Sequence, residues 1–410
     1  MTAESSEAAV PSGRAAGPAP GAPAGKVHFG GLNALRFFAA IFVVIGHIPL
    51  NQASGKLPSP SYGALFFRGA PAVAFFFTLS GFLITYLLLA EQDRTGTIAV
   101  KKFYLRRVLR IWPLYFAVVA FGLAFYNLIL PALGIAYPVA YPLPLAALLY
   151  VCFLPNLMNS LYTVGGILNP LWSIGIEEQF YLGWAPAVKR WHDRLPRLLA
   201  LVLVVSFGIF VLNRLEVFGP HRAKLFFSQL KFHFMAIGGL SAWALVNKRE
   251  RLLGAWPFAS RAAQWILLAL LADYYLFNWV RWDGYAEELA QLALYPWLIV
   301  NVAANPRRIF ASSGTSPAGR ALDHLGVISY GIYMLHMIAV YGTTALFQRT
   351  SWWHGRSLAL YCVAFYGIAI GTTLLLAHLS YRFFESPFLR RKERFAVVAS
   401  SAATNVRPDA

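Results

Sequence analysis

Several residues in this chain have the type and spacing to do chemistry, and all lie within or beside long apolar runs. Arg36 and His47 stand almost three whole helical turns apart, so on one helix their side chains point the same way, separated along the axis by roughly 16 Å. An imidazole can take a proton from a hydroxyl as a general base. Next comes Tyr104-Leu-Arg106-Arg107-Val-Leu-Arg110-Ile-Trp-Pro113, in which Arg106 and Arg110 share a helix face with Arg107 beside them. Guanidinium groups bind phosphates through several directed hydrogen bonds, so this cluster has the chemistry of a phosphate clamp. The third stretch is Leu171-Trp172-Ser173-Ile-Gly-Ile-Glu177-Glu178-Gln179-Phe180-Tyr181. Two adjacent carboxylates in an otherwise apolar run are hard to explain by packing, because such groups cost free energy inside a membrane. A carboxylate hydrogen-bonded to an imidazole would orient the ring and raise its basicity, which makes Glu177 the expected partner of His47.

The elements that must position these residues follow from composition. Of 410 residues, 58% are hydrophobic and only 13% charged. That charged share is about half the soluble average, and the chain reads as a polytopic membrane protein. With a spanning helix needing about 20 apolar residues, candidate spans fall at 32–50, 70–90, 111–132, 171–188, 198–213, 226–246, 262–280, 287–304, 324–347 and 358–381. The apolar stretch 141–155 is short and reads as an interfacial or re-entrant helix. The expected fold is therefore all-α, a transmembrane bundle of about ten spans. With an inside N-terminus, roughly three times as many Lys and Arg fall on inside as on outside segments, which predicts both termini cytoplasmic and a multi-pass protein of the cytoplasmic membrane. An eleventh span at 141–155 would erase that bias.

Residues 1–28, rich in Ala, Pro and Gly, read as a disordered tail rather than a signal peptide, and 393–410 as a second tail flanking a membrane domain over 29–392. The net charge of +18 is distributed in short clusters between apolar runs, which argues against nucleic acid as a partner. Cys152 and Cys362 have no metal-like spacing, and no metal site is expected.

Each motif also has a plainer reading. Arg36 could snorkel, the arginine cluster could be ordinary inside anchoring, and one of the two glutamates could cap its helix. Ser80-Gly81, in Phe75-Phe-Phe-Thr-Leu-Ser80-Gly81-Phe-Leu-Ile, suits close helix packing and is read that way. Tyr333 and His336, in Ser329-Tyr330-Gly331-Ile-Tyr333-Met-Leu-His336, and the closing Phe384-Glu385-Ser386-Pro387 read as structural when taken alone.

Taken together and in this order, the Arg36/His47 span, Phe-Phe-Thr-Leu-Ser-Gly-Phe-Leu-Ile, Arg-Arg-Val-Leu-Arg-Ile-Trp-Pro, Leu-Trp-Ser-Ile-Gly-Ile-Glu-Glu-Gln-Phe-Tyr, Ser-Tyr-Gly-Ile-Tyr-Met-Leu-His and Phe-Glu-Ser-Pro resemble the acyltransferase family 3 membrane enzymes over about residues 30–390. The resemblance implies a roughly ten-helix domain that moves acyl groups from acyl-CoA to hydroxyls of lipopolysaccharide, peptidoglycan, other glycans or macrolides. It implies His47 as the catalytic histidine, Arg36 as its functional partner, Arg106 and Arg110 (with Arg107) as acyl-CoA contacts and Glu177 as the important carboxylate. Glu178, Trp172, Ser173, Tyr181, Tyr333 and His336 are the expected acceptor-side or structural residues. The sequence departs from relatives at Ala74, where many have an acidic residue, and at Lys231 and His233, where Arg and Asp are common. These departures bear on the acceptor.

The expected activity is O-acyl transfer, with acetyl-CoA the expected donor, no permanently bound cofactor, and membrane lipid as surroundings. The acceptor would be a hydroxylated glycan, a lipid-linked glycan or a small molecule such as a macrolide. The rival reading is a transporter or flippase of a polar lipid or glycan, in which the same Arg, Glu and His would line a permeation path.

Overall fold

The computed structural model describes residues 29, 31–59, 69–137, 139–282, 284–306, 316–350, 354–355 and 357–395. The predicted tail 1–28, and residues 396–410 of the second, lie outside the described residues. Among the described residues every regular element is helical. The first is α1 (Leu32–Ser54), launched from Gly31, whose φ of 91° and whose Cβ position, 2.7 Å from Val302 Cγ1, admit only glycine. There follow α2 (Gly69–Thr95) and α3 (Val100–Ala124), the latter continued through a π-helical turn at Phe125–Ile129. Two short helices, α4 (Leu143–Val151) and α5 (Pro155–Leu161), lead into α6 (Leu171–Arg190) and α7 (Leu195–Arg214). Then come α8 (His221–Gln229), α9 (Phe232–Asn247), α10 (Arg261–Ala272) and α11 (Gly284–Ala304). The chain closes with α12 (Pro317–Val327), α13 (Ser329–Arg349), α14 (Leu358–Leu379) and α15 (Ser386–Glu393).

Six helical segments among the described residues are long and apolar enough to cross a membrane: Leu32–Ser54, Gly69–Thr95, Val100–Ala132, His192–Arg214, Ser329–Arg349 and Leu358–Glu393. The chain is an all-helical multi-pass membrane protein. The other predicted spans differ for identifiable reasons. Segment 171–188 forms α6, whose apolar run is diluted by Glu177, Glu178, Lys189 and Arg190. Segment 226–246 is broken at Leu230–Lys231, between α8 and α9. Segment 262–280 holds only the 12-residue α10 before a π-helical turn at Asp273–Phe277; that helix rises about 18 Å. Segment 287–304 forms α11, which opens with Glu287 and Glu288. The nine residues of α4 rise only about 14 Å and cannot cross.

Helix α2 is central: 72% of its apolar window is buried, against 17% for α7. Its tightest neighbour is α9. A Cβ on Gly81 would lie 2.0 Å from the Met235 carbonyl oxygen, and one on Gly238 would lie 2.0 Å from that of Thr78. The two backbones therefore touch through reciprocal glycines, the packing expected of Ser80-Gly81. On α7 and α14 the outward side chains Leu201, Val204, Val363 and Leu375 are exposed, as a lipid-facing surface requires.

Helix α13 follows α1 in the same direction, with α12 packed at the start of α1. Gly326 presses on the Asn33 backbone near one end, and Thr344 Oγ1 donates to Asn51 Oδ1 at 2.9 Å near the other. Helix α15 folds back against α3. These arrangements bring α1, α2, α3, α6 and α13 around one polar interior.

Candidate active site

The polar interior begins near the start of α1. Arg36 is half-buried and donates from Nη1 to Asn33 Oδ1 at 3.1 Å. Arg107 and Arg110 from α3 face Arg36, and Glu177 from α6 shares their field together with Tyr181. The Glu177 carboxylate accepts from Ser80 Oγ at 2.8 Å and from Tyr181 Oη at 2.9 Å. The second glutamate has a separate partner: Glu178 Oε2 accepts from Trp112 Nε1 at 3.1 Å. Arg107 stacks its guanidinium over Phe103 and Tyr181, and its buried Nε finds no acceptor among the described residues. Among the described residues no carboxylate lies within ion-pair distance, 4.0 Å, of Arg36, Arg107 or Arg110.

Arg106 has a different role from its neighbours. It pairs with Glu91 at 3.1 Å and donates to the Phe395 carbonyl at 2.9 Å, while Glu91 also accepts from the Ala99 backbone N–H. Those bonds tie the α2–α3 turn to the segment just after α15. They turn Arg106 away from the cluster that its i, i+4 spacing with Arg110 predicts.

Moving toward the other end of the bundle, Ser173 and Tyr333 meet with their hydroxyls 2.6 Å apart, and Tyr333 also donates to the Pro170 carbonyl at 2.9 Å. Trp172 packs edge-on against Phe77. One turn beyond Tyr333 lies His336, fully buried, with its Nδ1–H bonded to the Tyr333 carbonyl. Its ring sits 4.9 Å from that of His47, centroid to centroid. His47 donates from Nδ1 to the Val43 carbonyl at 2.8 Å. A carbonyl can only accept, so each ring carries its proton on Nδ1 and presents Nε2 as a base. In His336 that Nε2 is buried without a partner among the described residues.

One expectation is corrected here. Among the described residues no hydrogen bond joins Glu177 to His47. Ser173 is level with Tyr333, and Glu177 lies one turn further inward, so the carboxylate sits about 10 Å below His336 along the bundle. The orienting partner of His47 is its own helix, through Val43. Glu177 instead answers the arginines. Spacing along α6 could place the carboxylate on an inward face, but its level depended on where the helix begins.

Sequence reading missed Ser80 as a partner of Glu177, since Ser-Gly has an adequate packing explanation and Gly81 does fulfil it. It also passed over Tyr330, which reaches from α13 to donate to the Ile111 carbonyl on α3, and Glu385, which accepts from Ser380 and faces Arg110. The only signal for Glu385 was a carboxylate following the last span. The two departures at Lys231 and His233 fall in a second, separate cluster: Glu288 accepts from Lys231 Nζ at 2.8 Å and from His233 Nε2 at 2.8 Å, and Ser206 bonds His233 Nδ1 at 2.9 Å. This cluster clamps α7, α9 and α11 together. Among the described residues no group of three potential metal ligands converges.

The interior of this helical membrane bundle thus holds arginines, a carboxylate and two imidazoles in sequence along its length. Residues 29–378 match the family model described as an acyltransferase domain, and the chain belongs to acyltransferase family 3. It is 26% identical over 345 residues to the peptidoglycan O-acetyltransferase OatA of Listeria monocytogenes, covering 78% of this chain and 51% of that protein. It is 27% identical over 389 residues to the O-acetyltransferase OatA of Staphylococcus aureus, covering 90% of this chain and 58% of that one. The chain thus spans little more than half the length of the curated relatives it matches. No solved structure matches it.

Proposed function

We propose that this protein is an O-acyltransferase of the cytoplasmic membrane, with about ten spans and both termini inside, that moves an acyl group, in the first instance acetyl, from acyl-CoA to a hydroxyl. The acceptor is a glycan, or a glycosylated small molecule such as a macrolide. The observation that carries this reading is the interior alignment: free guanidinium donors at one end and free imidazole Nε2 atoms at the other, about three helical turns away along α1. Arg36, Arg107 and Arg110 bind the phosphates of the donor at the cytoplasmic mouth, where positive residues concentrate. Arg106 holds the mouth in shape through Glu91 and Phe395.

The reaction then needs one base. Nε2 of His47 takes the proton of the acceptor hydroxyl, and the oxygen attacks the thioester carbonyl. The carbon–sulfur bond breaks, and the departing thiolate takes the proton back from the imidazolium, leaving an ester and free coenzyme A. Val43 keeps the His47 tautomer in which Nε2 is the acceptor. Kinship with proteins named O-acetyltransferases supports the acetyl group and the hydroxyl acceptor.

The test uses full-length protein in detergent with radiolabelled acetyl-CoA and a panel of glycan and macrolide acceptors, reading released thiol and labelled product. His47→Ala is expected to lower turnover by about 10²–10⁴-fold while the protein elutes normally. Undiminished turnover in that variant would remove His47 from its role, and binding of coenzyme A with no thiol release on any acceptor would favour a permeation path.

A further inference from the structure

Helix α15 carries a lysine in an unusual place. Lys392 is only 9% exposed, although it lies at the end of an amphipathic helix whose neighbours Arg391 and Glu393 face solvent. Helix α15 packs against α3, the helix that carries Arg107 and Arg110, and the charges of Arg110, Arg107 and Arg36 all act on the Lys392 ammonium. Among the described residues it makes no side-chain hydrogen bond and no ion pair within 4.0 Å. The exposed carboxylate of Glu393, its neighbour in sequence, acts on it electrostatically, and Glu177 and Glu385 act on the arginines. None of the three closes on Lys392.

A buried ammonium beside three guanidiniums is opposed by both desolvation and like-charge repulsion. Folding has nevertheless placed it there by deliberate means. The π-helical turn Ser380–Glu385 continues α14 into α15, Ser386 Oγ donates to the Tyr381 carbonyl, and Arg106 grips the Phe395 carbonyl just beyond the helix. Arg107 Nε, buried and without an acceptor among the described residues, is an independent sign that the cluster is shaped for an anion.

We propose that Lys392 is a fourth ligand of the anionic head group of the donor, so that the C-terminal helix forms part of the donor site. This rests on the donor reading given above and extends it to the C-terminal part of the segment Leu358–Glu393. The ammonium supplies a point charge and three donors where the guanidiniums supply planar forks, so the four together suit a head group with more than one phosphate.

The experiment is titration of coenzyme A into full-length protein in detergent, comparing the wild type with Lys392→Gln and Arg391→Gln. The two variants remove the same charge from the same helix, one from the buried position and one from the exposed one. Lys392→Gln is expected to weaken binding about tenfold or more, and Arg391→Gln less than about twofold. A second measurement needs no variant: coenzyme A is expected to protect Lys392 of the wild type from an amine-acetylating reagent, read by mass spectrometry. Equal affinities for wild type and Lys392→Gln, equal weakening by both variants, or unchanged labelling of Lys392 in the presence of bound coenzyme A each overturn the proposal. Failure of the wild type itself to bind coenzyme A would instead overturn the donor reading.

Discussion

Replacing Ser80 by Ala tests whether Glu177 works through its place among the arginines. Ser80 Oγ lies 2.8 Å from Glu177 Oε1, and Tyr181 Oη lies 2.9 Å from Oε2, so each oxygen has one hydroxyl donor. A hydrogen bond to a charged acceptor contributes about 1.5–3 kcal/mol, and the half-burial of both residues places this one toward the lower figure. Removing it therefore costs about 1.5 kcal/mol of carboxylate positioning, equivalent to roughly a tenfold fall in kcat/KM. The cost should be specific to Glu177. In a Glu177→Gln background, itself impaired, adding Ser80→Ala should change the rate less than about twofold, because the oriented carboxylate is already gone. The assay is steady-state release of coenzyme A from acetyl-CoA at saturating acceptor for the four members of the cycle, with thermal midpoints as the folding control. Equal losses from Ser80→Ala in both backgrounds would refute the reasoning and return Ser80 to a packing role.

Other perturbations separate positions that the sequence groups together. Arg107→Gln and Arg110→Gln should each raise KM for the donor about tenfold or more, whereas Arg106→Gln should chiefly lower thermal stability, since its bonds go to Glu91 and Phe395; donor titrations with a melting curve for each variant check this. Gly81→Ala should lower the melting midpoint, because its Cβ would need to move about 1 Å from the Met235 carbonyl, at a cost of about 1–3 kcal/mol; an unchanged midpoint would mean α2 and α9 are less tightly opposed. Glu288→Ala should destabilise by about 3 kcal/mol, leaving Lys231 and His233 without their shared acceptor, and a donor KM measured at low temperature should stay at the wild-type value.

Much of the site was legible because charge in an apolar run has few innocent explanations. Arg36, His47 and Glu177 stood out in that way, and helical period alone put Arg36 and His47 on one face, whereas Arg110 could equally be ordinary anchoring. What could not be read was level. Hydropathy marks the apolar run of α6 but not the residue at which it meets its neighbours, so Glu177 was matched to His47 when it meets Ser80, Tyr181 and the arginines. The same limit hid the break at Leu230–Lys231, since a window of about 20 residues averages across a single turn of lost helix. Arg106 and Lys392 were hidden for a third reason. Positive residues at a membrane surface are ordinary, and only tertiary contacts distinguish the one that grips Glu91 from the one buried beside three guanidiniums.

The distance between the two ends of the site constrains what the donor can be. Arg36 and His47 are fixed on a single helix, interrupted by proline only beyond His47, so their separation of roughly 16 Å along the axis does not vary with side-chain choice. A small activated acyl compound held by the arginines would leave its carbonyl far from either imidazole. A carbonyl held at the imidazoles would forgo the guanidinium contacts. Both ends can be used at once only by a donor whose anionic head and reactive carbonyl are joined by a long, narrow, flexible arm, and the pantetheine arm of an acyl-CoA has that form. Binding energy gathered at the head, remote from the reacting carbon, can then serve to hold the thioester at His47. Under the proposed function, that division of labour accounts for why the arginines and the histidines sit apart, and why the carboxylate at the cationic end need not touch the base.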